Sequence, residues 1–228
     1  MLLFLELVYD TIDCRNKNLD TIPAGLSSIT WAKSLYLSGN NLKSIHGIPS
    51  NIKHLTVDDN PLISLGAASF SHLSQIQHLS MKNCSISALP ATIFTRLESL
   101  KTLILSHNPL GQIQVQTLFG LTSLQRLYME NCKLSIVDDA AFITLYNLKY
   151  LYLQHNNLET ASSAWFKGFS QNQIIKIFLK DNPWRCDCKM GGFFSLLQSQ
   201  QWLEDVTEID VIACNSPADR RSDTLYVS

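Results

Sequence analysis

The sequence predicts an α/β repeat solenoid with a curved parallel β-sheet on its concave face, and three observations carry the prediction. Leucine is by far the commonest of the 228 residues, at 35, and 15 asparagines accompany it. The pattern Leu-x-x-Leu-x-Leu-x-x-Asn-x-Leu recurs along nearly the whole chain, with its asparagine position at Asn40, Asn60, Cys84, Asn108, Cys132, Asn156 and Asn182. The steps between these positions are 20, 24, 24, 24, 24 and 26 residues, a period that marks stacked supersecondary units.

Each unit follows from the residue types in it. The pairs Leu35/Leu37, Leu55/Val57, Leu79/Met81, Leu103/Leu105, Leu127/Met129, Leu151/Leu153 and Ile177/Leu179 alternate with the period of a half-buried strand. A weaker first unit fits Ile12/Cys14 followed by Leu19 and Ile22-Pro23. One unit cannot bury its apolar face alone, so neighbours stack and share a core. Further apolar sets such as Leu62/Leu65/Phe70/Leu73 and Ile86/Leu89/Phe94/Leu97 fill the convex side. The ladder asparagine turns inward, where its amide satisfies buried backbone groups of the turn. Cys84 and Cys132 take that place as small buried thiols rather than as nucleophiles. The unit is a leucine-rich repeat, and the fold class is a leucine-rich repeat solenoid.

A solenoid needs atypical terminal units to cover its ends. At the C-terminal end stands Asn182-Pro183-Trp184-Arg185-Cys186-Asp187-Cys188, with Cys214 after 25 intervening residues. The spacing of Phe193, Phe194, Leu196, Leu197 and Trp202 predicts a short amphipathic helix from Phe193 to Leu203. The Asn-Pro-Trp-x-Cys-x-Cys run resembles the cysteine-rich C-terminal cap of extracellular leucine-rich repeat proteins. That resemblance implies a disulfide between Cys186 and Cys214 and leaves Cys188 over, together with an oxidising, extracellular location. A zinc site from the three cysteines lacks a fourth ligand. At the other end, Cys14 and Leu19-Asp20-Thr21-Ile22-Pro23 match the last part of the family's N-terminal cap, without its earlier cysteines. Met1 to Val8 is apolar but lacks the basic start and small-residue cleavage site of a signal peptide, and reads instead as a strand covering the first repeat. Cys14 and Cys188 are free, paired with each other or paired outside the chain, and their positions at opposite ends argue against a mutual bond. The expected domains are a degenerate N-terminal cap over 1–28, repeats over 29–173, and the last strand with the cysteine-rich cap over 174–228.

Such compact solenoids are similar to the variable lymphocyte receptors of jawless vertebrates, and the same units and caps occur in Toll-type receptors, Slit-like guidance proteins and small matrix proteoglycans. The resemblance implies non-catalytic recognition on the concave sheet, with a microbial surface component or protein antigen as partner. The alternative is a structural or developmental module that binds a growth factor or matrix protein.

Strand alternation sorts the exposed residues into columns. Between the inward leucines run Asp13, Tyr36, Thr56, Ser80, Ile104, Tyr128, Tyr152 and Phe178, and beyond them Arg15, Ser38, Asp58, Lys82, Ser106, Glu130, Gln154 and Lys180. Just before the ladder stand Asn16, Gly39, Asp59, Asn83, His107, Asn131, His155 and Asp181. Tyr36, Tyr128 and Tyr152 offer broad contact area with a polar tip, and Asp58, Asp59 and Glu130 form an acidic strip suited to cationic groups. These six are the candidate ligand-binding residues. Lys33, Lys53, Lys101 and Lys149 line the leading edge of the strands. The plainer reading is that the aromatics pack against cross-strand neighbours and that Asp58 pairs with Lys82 on the surface.

Composition narrows the classes. With 18 basic and 19 acidic residues the formal charge is −1, so no basic excess is available for a nucleic-acid partner. No apolar run is long enough for a membrane-spanning helix. No catalytic residues, metal ligands or cofactor motif emerge; His54 and His78 lie on adjacent strands without a third ligand and read as solvated. The chain is expected to be monomeric and not an enzyme. Asp138-Asp139 read as solvated loop charges. Asn83-Cys84-Ser85 is a glycosylation sequon, but its central cysteine and the buried ladder beside it argue against modification.

Overall fold

A computed structural model describes residues 6–8, 10–63, 65–167, 176–185, 190–193, 195, 212–216 and 224–225, the segments 6–8, 212–216 and 224–225 as backbone only. In chain order the strands are β1 (Glu6–Val8), β2 (Thr11–Asp13), β3 (Ser34–Tyr36), β4 (His54–Thr56), β5 (His78–Ser80), β6 (Thr102–Ile104), β7 (Gln112–Ile113), β8 (Arg126–Tyr128), β9 (Ile136–Val137), β10 (Tyr150–Tyr152), β11 (Lys176–Phe178), β12 (Trp184–Arg185), β13 (Ile212–Ser216) and β14 (Thr224–Leu225). Nine of them form one sheet in the order β1-β2-β3-β4-β5-β6-β8-β10-β11. From β2 onward every pairing is parallel. The sheet lines the solenoid's concave face.

Register follows the leucines. Leu35, Leu55, Leu79, Leu103, Leu127, Leu151 and Ile177 pair in succession across the sheet, and all but Ile177 are fully buried. A slip by one residue would turn this column out to solvent, so burial fixes the register. β1 pairs antiparallel with β2, so the strand predicted to cover the first repeat does lie on the sheet's open edge at residues 6–8. Covering that edge removes a template for unwanted pairing.

Turns build the convex side, with 3-10 helices at Leu26–Ser28 and Ser163–Phe166 and a small parallel pair, β7 with β9. Phe70, Phe94, Leu118, Phe142 and Phe166 recur at the repeat spacing and are buried; the Phe70 and Phe94 rings stack at 5.9 Å. The longer last repeat makes room for the Ser163–Phe166 helix, capped by Ser162 Oγ accepting from the Ala164 N–H at 3.2 Å. Trp165 from that helix is 1% exposed; its indole N–H reaches the Val137 carbonyl at 3.3 Å, and it meets Phe142 and Phe193 edge-on. The terminal helix begins earlier than its sequence pattern predicts, since residues 191–193 are already helical; positions 194 and 196–203 of the predicted helix lie outside the described residues.

The ladder does what its chemistry predicts. Asn108, fully buried, accepts at Oδ1 from the N–H groups of Cys84 (2.9 Å) and Ile86 (3.0 Å) and donates to the carbonyls of Met81 and Leu105, both at 2.7 Å. Asn156 repeats this on Cys132, Leu134, Met129 and Leu153. Cys84 and Cys132 supply only the donor half, with Sγ–H to Val57 O at 3.2 Å and Leu105 O at 3.3 Å. The missing acceptor is explained one turn back. The turns before the two cysteines are Asn60-Pro61-Leu62 and Asn108-Pro109-Leu110. In both, the N–H that a ladder amide would otherwise take is bonded by the main chain, Leu62 N–H to Asn60 O and Cys84 O, and Leu110 N–H to Asn108 O. Where the preceding turn needs no side-chain acceptor, cysteine suffices.

At the C-terminal end Asn182 closes the ladder with bonds to Leu158 N, Leu153 O and Leu179 O. Trp184 is buried, its indole donating to Leu179 O at 3.1 Å. β12 pairs with β13, which places Cys214 opposite Trp184 in the backbone. The disulfide implied between Cys186 and Cys214 involves residues outside the described ones, or described in the backbone alone; the same holds for Cys188.

One loop expectation changes. Asp138 is half-buried, and its Oδ2 accepts from the Val115 N–H of the preceding repeat at 3.1 Å. It ties two repeats together, while Asp139 is exposed. Asn83 is exposed, with its amide donating to Asp59 Oδ1.

Candidate functional site

The concave face divides along the strands into two chemically different regions. At β8, β10 and β11 the middle column carries Tyr128, Tyr152 and Phe178, and the parallel register stacks them ring on ring. Tyr128 and Tyr152 centroids are 4.3 Å apart at 7°, and Tyr152 and Phe178 4.4 Å apart at 1°. Strand spacing of about 4.8 Å is close to the stacking distance, so identical positions on neighbouring strands align aromatic faces. Burial within this stack, with Tyr128 beside it, pushes the Tyr152 hydroxyl up to about 12. Beside the stack, the Arg126 guanidinium lies 5.4 Å from the Tyr150 ring.

The sequence nominates Tyr36 with the other two tyrosines, but the strand order places it four strands from Tyr128. Its own neighbour is Arg15, whose guanidinium sits 5.3 Å over the ring and pairs with Asp13. The hydrogen bond from Arg15 holds the Asp13 carboxyl below its ordinary range, against a smaller opposing effect of burial.

The nominated carboxylates also separate. Asp58 and Asp59 follow β4 and Glu130 follows β8, with β5 and β6 between them, about 14 Å of sheet at the usual spacing. Asp58 Oδ1 accepts from Ser80 Oγ at 2.6 Å and from the Lys82 backbone N–H at 2.8 Å, so its link to Lys82 runs through the main chain. Asp59 Oδ1 accepts from Asn83 Nδ2 at 2.8 Å. Both carboxylates therefore brace adjacent repeats.

Backbone geometry accounts for Asp59 further. The whole column Asn16, Gly39, Asp59, Asn83, His107, Asn131, His155 and Asp181 has positive φ, between 53° and 70°. Left-handed backbone favours glycine, asparagine and aspartate and tolerates histidine. The residue types in this column follow from the turn, and the sequence already displays that signal in their uniformity. His155 and Asp181 in this column pair at 3.2 Å.

Glu130 lies in a different setting. Among the described residues its buried Oε2 has no hydrogen-bond partner, and neither do Ser106 Oγ and Gln154 Oε1, its neighbours in the same column. Ser106, Gln154 and Phe178 stand in columns that the sequence displays without singling them out; their shared register is the signal that joins them to the candidate site.

His54 and His78 rings are 6.2 Å apart. Burial, with His54 adding, lowers the His78 pKa against a smaller opposing effect of Asp58. Among the described residues no group of three His, Cys, Asp or Glu side chains gathers to hold a metal ion.

The buried cysteines are chemically quiet. Burial pushes the Cys84 and Cys132 thiols up to about 12 and Cys14 up to about 11; all three are free and buried. The thiolate is the reactive form. Alkylation near neutral pH is therefore expected to spare Cys14, Cys84 and Cys132 in the native protein and to modify them in guanidinium chloride, read by peptide mass mapping. Their contribution to stability is complete below the ordinary thiol value of 9.0. It is lost as the pH rises from there toward about 12, because the unfolded chain releases these protons first.

With this geometry in hand, comparison with known proteins is direct. The leucine rich repeat family profile matches residues 50–110, 79–134 and 131–178, and a second leucine rich repeat profile matches 32–55. The first alone covers more than half of the chain, and the chain belongs to the leucine-rich repeat family. Over 77 residues it is 39% identical to Tsukushi of Xenopus tropicalis, a stretch amounting to 32% of this chain and 21% of Tsukushi. Among solved structures, human 5T4 (Wnt-activated inhibitory factor 1, trophoblast glycoprotein) superposes with a TM-score of 0.65 at 21% identity, covering 96% of this chain and 92% of 5T4. TLR13 in its complex with ssRNA13 gives a TM-score of 0.64 at 27% identity, over 71% of this chain and 23% of TLR13. The chain thus spans about a fifth of the length of Tsukushi and a similar part of TLR13. Among the described residues no helix is long and apolar enough to cross a membrane.

Proposed function

We propose that this chain is a non-catalytic extracellular recognition protein that binds a macromolecular ligand on its concave sheet. The observation that carries the reading is the stacked row Tyr128–Tyr152–Phe178. Stacking explains how the rings sit together, but the fold does not demand them, since Thr56 and Ser80 fill the same column on β4 and β5. A rigid aromatic platform gives large contact area at small entropic cost. Likeness to Tsukushi, 5T4 and TLR13 supports a ligand-binding ectodomain. The net charge of −1 and a carboxylate beside the platform oppose a polyanionic ligand.

The favoured partner is a microbial surface component or protein antigen, a reading that rests on the likeness of the C-terminal motif to lymphocyte-receptor caps. Tyr128, Tyr152 and Glu130 form the central contact; Tyr36, Asp58 and Asp59 lie outside it along the same face. The alternative partner is a growth factor or matrix protein. A binding panel of whole bacteria and host extracellular proteins separates the two. Against whichever member binds, the double substitution Tyr128→Ala/Tyr152→Ala is expected to weaken binding by about thirtyfold or more, as for buried aromatic anchors. Unchanged binding by the folded double variant contradicts the reading.

A further inference from the structure

The column beside the aromatic platform holds three buried oxygen atoms without a hydrogen-bond partner among the described residues. Ser106, Glu130 and Gln154 follow β6, β8 and β10, and the main chain fixes them side by side: His107 N–H bonds Glu130 O, and Asn131 N–H bonds Gln154 O. Ser106 is fully buried. Ser106 Oγ, Glu130 Oε2 and Gln154 Oε1 are each buried without a hydrogen-bond partner. A buried unpaired polar atom is costly, and native proteins contain few. Three in register on adjacent strands, one of them a carboxylate, make an acceptor cluster rather than scattered packing defects. Elsewhere on the face the nominated carboxylates are engaged, Asp58 by Ser80 and Lys82, and Asp59 by Asn83. The contrast places the unspent acceptor capacity at Glu130.

We infer that this cluster is a specificity pocket for an arginine side chain carried by a polypeptide ligand. The inference deepens the concave-face reading and rests on it. A guanidinium is planar, permanently charged and carries five N–H donors, so it can answer a carboxylate and two neutral oxygens at once. The flanking column is aromatic, and guanidinium and its aliphatic stem both pack well on tyrosine faces. A lysine ammonium supplies the charge without the planar fork, and a neutral apolar residue supplies neither. The residues opposite the pocket in the next column, Ile104, Tyr128 and Tyr152, bring no competing cation. In its own column the cluster is flanked by Lys82, one strand before Ser106, and by Lys180, one strand beyond Gln154.

The test uses the whole chain and three capped tripeptides, Gly-Arg-Gly, Gly-Lys-Gly and Gly-citrulline-Gly, titrated by NMR. Citrulline keeps the shape of arginine and removes its charge. The arginine peptide is expected to saturate, with shifts centred on the amides of Ser106, Tyr128, Glu130 and Gln154. The lysine peptide should bind more weakly and the citrulline peptide about tenfold or more below arginine. Glu130→Gln should lower arginine-peptide affinity by about tenfold or more, the range for hydrogen bonds to a charged group, while its melting temperature stays level or rises because an unpaired buried carboxylate oxygen is gone. A Glu130→Gln protein that melts lower marks a structural carboxylate and overturns the inference. So does equal binding of arginine and citrulline peptides, or arginine shifts confined to the Asp13–Lys17 end. If the panel ligand loses affinity with Tyr128→Ala/Tyr152→Ala but keeps it with Glu130→Gln, the concave face stands as the binding surface and the arginine pocket falls.

Discussion

Replacing Asn108 by alanine is expected to destabilise the protein by about 4 kcal/mol, near the upper end for single substitutions. The side chain is fully buried and serves four backbone groups, two N–H and two C=O, on two neighbouring repeats. Alanine leaves all four inside the core without a partner, and each unsatisfied group costs about 1–3 kcal/mol, partly relieved by relaxation. The loss is read as a drop in the urea midpoint. Cysteine at the same position is expected to cost about 2 kcal/mol. A thiol can donate toward Met81 O, as Cys84 does toward Val57 O, but Cys84 N–H and Ile86 N–H lose their acceptor. Cysteine works at positions 84 and 132 because the main chain bonds the Leu62 and Leu110 N–H groups in the preceding Pro61 and Pro109 turns; position 108 follows Cys84-Ser85-Ile86, which has no proline and whose Ile86 N–H relies on Asn108. Equal stability of Asn108→Cys and the parent would contradict this account of the two turn types.

Gly120→Ala is expected to cost about 3 kcal/mol, from two additive causes. The glycine has φ +92°, outside the range comfortable for an L side chain, and an added Cβ would stand 2.5 Å from the backbone Cα and carbonyl oxygen of Thr95 in the neighbouring repeat. Backbone inside a stacked solenoid cannot step aside without moving its own repeat. Gly111 provides the control: its φ is +71°, but an added Cβ meets nothing within 4 Å, so Gly111→Ala should cost only the left-handed backbone term, about 1 kcal/mol. Parallel thermal melts of the two variants check the difference, and equal losses would show that repeat contact at Gly120 is not tight.

Much of the fold is legible in the sequence because the repeat multiplies weak signals. A three-residue strand such as β6, centred on Leu103, says little alone, but leucines at one register in successive units fix strand, face and neighbour together. The ladder amide is legible for the same reason. The alternation of turn types is present in the sequence as Asn60-Pro61 before Cys84 and Asn108-Pro109 before Cys132, yet it takes hydrogen-bond geometry to show why proline and cysteine go together. The binding face is legible as columns and no further. Column membership cannot reveal that Tyr128, Tyr152 and Phe178 stack while Tyr36 stands apart with Arg15. Nor can it distinguish Asp58 and Asp59, bound into neighbouring repeats, from Glu130, whose Oε2 is buried and unpartnered. Side-chain partners decide these roles, and they depend on rotamers that the repeat period does not encode. The Asp138 bond to Val115 is missed on the same ground.

The central claim, recognition through the concave sheet, is tested most directly by comparing the two faces of one molecule. The partner found in the binding panel is titrated against the parent, against Tyr128→Ala/Tyr152→Ala, and against Ile136→Ala, a residue on β9 outside the main sheet that is 54% exposed. Affinity is expected to fall by about thirtyfold or more for the tyrosine pair and to stay at the parent value for Ile136→Ala. Loss of binding on the β9 side, with the tyrosine variant binding as the parent does, would move the ligand off the concave face and contradict the account.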